Sequence, residues 1–127
     1  MRHNEVSGVI VDAAYQLHAK LGPGLLESVY EELLAYELAK RNLKVERQKL
    51  MPVFYDGNKI DLGFRADLVM EDIVLVELKS VETLAPVHKK QVITYLKVSG
   101  LKLGLLINFG APLIKDGIIR IANGLSE

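Results

Sequence analysis

Two apolar runs of strand length, IVLVELKS at 73–80 and LKLGLLINFG at 101–110, flank one helix-length segment, TLAPVHKKQVITYLKVSG at 83–100. A strand, a helix and a second strand in succession form a crossover unit, which implies a sheet that is at least partly parallel. The second run shows no clean polar alternation, which predicts a central strand covered on both faces. Pro86 suits the first turn of the intervening helix, and Gly100 suits its C-terminal stop.

The rest of the chain fills in around this unit. NEVSGVIVDAAYQLHAKLG places Val6, Val9, Ile10, Ala13, Leu17 and Leu21 at helical spacing, with Gly22 and Pro23 ending the helix. A second helix follows in LLESVYEELLAYELAKRN. Its expected apolar stripe is Leu26, Val29, Leu33 and Tyr36, and Lys40 and Arg41 lie near the C-terminus, where the macrodipole favours cations. LKVERQKLMPVFYDG reads as a strand with Pro52 at an edge or bend, and YDGNK as a turn. FRADLVM and KDGIIRIANGL supply two further strands. The expected order is helix, helix, strand, strand, strand, helix, strand, strand. That is an α/β fold with a central mixed sheet flanked by helices. One domain covering 1–127 is expected, a length that buries a real core without disulfides or structural metal.

Ionisable residues interrupt two of these apolar strands. Glu77 and Lys79 are two apart and share a face, as do Arg65 and Asp67 on the strand before. Burying a carboxylate costs several kcal/mol unless something compensates it, and bringing two together adds repulsion. A bound cation removes both problems. Oxygen ligands such as Asp67 and Glu77, with no cysteine in the chain, suit Mg²⁺ or Mn²⁺ better than zinc. The competing reading is an intrastrand salt pair on a solvated face. Geometry separates the two. A two-residue Glu71-Asp72 hairpin loop would pair Asp67 with Val76 and turn it away from Glu77. A metal site demands a three-residue loop or a bulge.

Several function classes drop out. Without cysteine there are no disulfides and no thiolate zinc site, which suits a reducing cytoplasm. The N-terminal MRHNEVSGVIVDAAY has no signal-peptide apolar region, and no run approaches the roughly 20 apolar residues of a membrane helix. No membrane partner is expected. The formal net charge is zero, so nucleic-acid binding would have to come from a local patch such as Lys89, Lys90, Lys97 and Lys102. There is no phosphate-loop lysine motif, nucleophile elbow or zinc-finger spacing.

Asp67 followed by Glu77-Leu78-Lys79 resembles the PD-(D/E)xK nuclease superfamily, with Ala66 where that pattern has proline. GLLESVY at 24–30 carries Gly24, Glu27 and Tyr30 at the spacing of the small GxxExxY family assigned to that superfamily. The likeness continues through RADL, VELK, PVHKKQVITYLK and LGLLINFG. It implies a restriction-endonuclease-like core of helix, three strands, helix and strand from Leu25 to Phe109, with an extra N-terminal helix. It also implies a metal-dependent nuclease acting on nucleic acid, with DNA as the expected substrate. In that reading Asp67, Glu77 and the Leu78 carbonyl hold Mg²⁺ or Mn²⁺. Lys79 orients the attacking water or meets the phosphate. Glu27 lies over the site, bound through water or to a second ion. Gln91 and Tyr95, four apart on one helix face, resemble a Gln-xxx-Tyr motif of exonuclease-like branches and would line the site. Roles for His88 and Arg65 are weaker, and His18 reads as structural. So small a nuclease covers few base pairs, which is compatible with a homodimer. A non-catalytic interaction module that retains the fold is the alternative.

Overall fold

The computed structural model describes residues 1–127, the side chain of Leu62 excepted. Two helices open the chain, α1 (His3–Leu21) and α2 (Glu27–Lys40). Three strands follow, β1 (Val45–Tyr55), β2 (Asn58–Met70) and β3 (Val74–Lys79). Then come α3 (Pro86–Ser99), β4 (Leu103–Asn108), a short 3₁₀ turn at Ile114–Gly117 and β5 (Ile118–Ala122). The sheet runs β1-β2-β3-β4-β5. Only β3 and β4, joined through α3, are parallel, and every other neighbour pair is antiparallel.

The two faces of the sheet make two cores. On one, Val6, Ile10, Ala13 and Leu17 of α1 and Tyr30, Leu34 and Leu38 of α2 cover Leu68, Val76, Leu78 and Leu105. On the other, Val92 and Leu96 of α3 cover Val69, Leu75, Leu106 and Ile121. Every residue of β4 is buried, and so is every residue of β3 except half-buried Lys79. This double burial is why both strands are almost wholly apolar in sequence.

Three expectations need correction. The stripe Leu26, Val29, Leu33 and Tyr36 is not the buried face of α2. That helix buries Tyr30, Glu31, Leu34, Ala35 and Leu38, whereas Leu26 is 73% and Tyr36 62% exposed. The helix is apolar on two sides, and spacing alone does not choose between them. Leu21 of α1 is also exposed. The second strand begins at Asn58, earlier than FRADLVM suggests. It pairs with β1 across a tight turn at Asp56 and Gly57, and the register shifts between Met51 and Val53, around Pro52.

The GLLESVY segment joins α1 to α2. Gly24 has φ 116°, a conformation that suits glycine. Tyr30 is fully buried and stacks on Phe109 with ring centroids 4.5 Å apart. Its hydroxyl donates to the Gly22 carbonyl and accepts from the Leu25 N–H. The tyrosine of this segment therefore holds the turn, and the turn places Glu27 as the first residue of α2.

Candidate active site

The β2–β3 connection decides which way Asp67 faces. Glu71 and Asp72 both have positive φ (51° and 61°), and the Ile73 N–H donates to the Met70 carbonyl at 3.0 Å, which makes a tight turn. Ile73 is then an extra residue, because Met70 pairs with Val74, Val69 with Leu75 and Leu68 with Val76. The same register carried one residue further sets Asp67 opposite Glu77. The odd spacing that a shared face demands is present.

The ladder stops there, and side chains take over its acceptors. The Asp67 N–H donates to Glu77 Oε2 at 2.8 Å, and the Leu78 N–H donates to Asp67 Oδ2 at 2.8 Å. The strands part around the two acids. A strand residue presents its N–H and C=O to the same neighbour. The Leu78 carbonyl therefore lies on the edge that faces Asp67. Among the described residues no donor reaches Glu77 Oε1.

Glu77 is 6% exposed. Burial first, then the Asp67 carboxylate, push its pKa up to about 8, against the opposing pull of the Asp67 N–H and the Lys79 ammonium. Lys79, two residues on, is half-buried on the same strand face. Glu27 is exposed, with its pKa raised by partial burial and by Asp67 and Glu31, while Lys79 lowers it. It senses the same field from the N-terminus of α2, where the helix dipole favours an acid. It lines two open grooves, one with Pro23, Gly24 and Ser80 and the other with Glu31 and Gln48.

Tyr95 of α3 lies flat on Phe64 of β2, ring centroids 3.9 Å apart. Burial, then Glu77 and Asp67, raise the pKa of its hydroxyl, while Gln91 lowers it, so the hydroxyl lies within the electrostatic reach of the acids. Gln91 is exposed and donates to the Tyr95 hydroxyl at 2.8 Å. Its amide is thus one step removed from the acid pair. Arg65 donates to the Gln48 carbonyl at 3.2 Å rather than to Asp67 or Glu27. His88 Nδ1 accepts the Ala85 N–H at the start of α3. His18, buried, bonds the Ala111 carbonyl at 2.8 Å, the structural role its setting suggests.

Three residues of the site escape sequence reasoning. Glu31, one turn beyond Glu27, is buried and receives Arg47 Nε and Nη2 at 3.2 and 3.1 Å. Gln48 Nε2 bonds Glu31 Oε1 and also Asp67 Oδ1, the latter at 3.3 Å. The four-residue spacing of Glu27 and Glu31 was a legible sign of a shared helix face. Nothing in the sequence marked Arg47 or Gln48.

Among the described residues, no three His, Cys, Asp or Glu side chains converge closely enough to hold a metal ion. The donor set at the parted strands is two carboxylates and one carbonyl. It is an all-oxygen set in which burial first, and then its partner, push up the pKa of one acid. That chemistry fits a hard divalent cation, which prefers oxygen and keeps several waters of its own. Glu27 does not converge with the pair into a three-acid cluster, although Asp67 acts on its pKa.

A mixed sheet covered by α1 and α2 on one face and by α3 on the other, with paired acids where β2 leaves β3, defines an α/β domain of the nuclease-like class. A family model described as the PD-(D/E)XK nuclease superfamily matches residues 4–121, and the chain belongs to that superfamily, with its restriction-endonuclease-like fold. No curated protein and no solved structure matches it.

Proposed function

We propose that this protein is a metal-dependent phosphodiesterase that hydrolyses nucleic acid, with DNA as its substrate, as a cytoplasmic member of the GxxExxY group. The observation that carries the reading is the Asp67–Glu77 pair facing across the parted strands, with Lys79 next on the same face. Asp67, Glu77 and the Leu78 carbonyl would hold Mg²⁺ or Mn²⁺. When bound, such an ion supplies an activated water and neutralises charge on the phosphate. Lys79 places its ammonium at the phosphate or orients the attacking water. Glu27 accepts a hydrogen bond from water over the site. The Tyr95 hydroxyl donates to a phosphate oxygen, and Gln91 holds that hydroxyl in place. Pairing as a homodimer would widen the duplex footprint of so small a domain.

The deciding experiment is a cleavage assay with Mg²⁺ or Mn²⁺ on single-stranded, duplex and branched DNA, with RNA in parallel. Cleavage should require the ion and fall to background in Asp67→Asn and Glu77→Gln. Nucleic-acid binding without cleavage by the wild type would replace this reading with a non-catalytic interaction module.

A further inference from the structure

We propose that Gln48 is a positioning residue that aims the Asp67 carboxylate for cation binding, and that its side chain is the reason a strained backbone is retained there. The inference rests on the metal-site reading above. Gln48 has φ 47°, in the left-handed region, in the middle of a strand. Its neighbours are regularly paired, Arg47 with Leu68 and Lys49 with Ala66, so Gln48 lies opposite Asp67. The opposite strand is irregular at the same level. Ala66 packs on the α3 side and Leu68 on the α1–α2 side, although residues two apart share a face in a regular strand. The facing of β2 changes at Asp67, and the distortion at Gln48 accompanies it.

The amide explains what the distortion achieves. Its two N–H donors reach two carboxylates from one nitrogen, Glu31 Oε1 and Asp67 Oδ1. Glu31 is itself fixed by the Arg47 guanidinium, so Gln48 hangs from a buried anchor. Asp67 then has one oxygen held by the Leu78 N–H of β3 and the other by Gln48 of β1. Donors on both sides fix the plane of the carboxylate. Each carboxylate oxygen still has a lone pair for a cation. A neutral donor suits this place. A glutamate would add a third negative charge beside Asp67 and Glu31, and a lysine would compete with the cation. Partners of ligating carboxylates change metal affinity by about 10–100-fold when removed. Non-glycine residues held at positive φ concentrate where function needs them.

Two variants separate the amide from the backbone. Gln48→Gly removes the amide and relieves the strain, while Gln48→Ala removes the amide and keeps the strain. Mn²⁺ affinity by titration calorimetry, and melting in metal-free buffer, are measured on both variants and the wild type. Both variants should bind Mn²⁺ at least about tenfold more weakly than wild type. The glycine variant should melt no lower than wild type, and above the alanine variant. Wild-type Mn²⁺ affinity in Gln48→Gly overturns the proposal. So does a glycine variant that melts well below wild type, since Gln48 would then be holding the fold. If the wild type itself binds no Mn²⁺, the metal-site reading falls and the positioning role falls with it. Weakened Mn²⁺ binding in both variants, with the glycine variant the more stable, sustains the role.

Discussion

At the scale of single residues, the most consequential group is Glu77. Its pKa is pushed up to about 8, by burial first and then by Asp67. An unfolded glutamate titrates near 4.5, so between about 4.5 and 8 the folded protein binds more protons than the unfolded chain. Stability in metal-free buffer should therefore fall as pH rises through that window and level off above it. Glu77→Gln cannot lose a proton and should flatten the fall, leaving the variant more stable than wild type at pH 8. Urea denaturation across pH 5–9 checks this, and parallel curves for the two proteins would refute it. Lys79 behaves differently, because an ammonium donates and cannot ligate a metal. Lys79→Ala should keep Mn²⁺ affinity in calorimetry while losing cleavage rate by about 100-fold or more, the size of a positioned proton-transfer or charge-stabilising group.

At the scale of elements, the two apolar stripes of α2 have unequal roles. Leu34 is fully buried beneath the sheet, and Tyr36 is 62% exposed. Leu34→Ala should cost about 2–5 kcal/mol by leaving a cavity, whereas Tyr36→Ser should stay within about 0.5 kcal/mol. Chemical denaturation of both variants decides which stripe faces the core. The same helix shows where sequence reading stops. The element order and the crossover between β3 and β4 were legible because apolar run length and helix-stop residues are local signals. The face of α2 was not, because Leu26, Val29, Leu33 and Tyr36 repeat as regularly as Tyr30, Leu34 and Leu38. The acid pair was legible as an anomaly, charged residues inside apolar strands. Its geometry was legible only as a condition on the loop, which the extra residue Ile73 meets. Gln48 was hidden because its backbone angle and its reach to a helix and a neighbouring strand are tertiary facts. The Ser80–Ala85 connection is tied down by another such contact. Asn108, at the end of β4, accepts the Val81 N–H at 3.0 Å and donates to the Val81 carbonyl at 2.8 Å, extending the sheet by a side chain just beyond Lys79. Gly110 lies so close to Val81 that a Cβ would meet its carbonyl oxygen at 2.3 Å.

At the scale of the whole molecule, the site and the fold are thermodynamically linked. Metal-free protein holds Asp67 and Glu77 together in a largely buried setting, with Lys79 offsetting part of the repulsion. No helix among the described residues is long and apolar enough to cross a membrane. A divalent ion that binds only the folded state stabilises it by mass action, by about 2.7 kcal/mol at one hundred times Kd. For a domain of this size that corresponds to a rise of roughly 10 °C in Tm. The rise should be larger at pH 8 than at pH 6, because the ion displaces the proton that Glu77 otherwise retains. An Asp67→Asn, Glu77→Gln double variant should show little ion-specific rise. Without metal it should melt no lower than wild type, since the repulsion is gone. Calorimetric melting of both proteins with and without Mn²⁺ makes the test independent of any substrate. Equal shifts in the two proteins would place the ion elsewhere on the molecule, and the acid pair would then have to be explained without a cation.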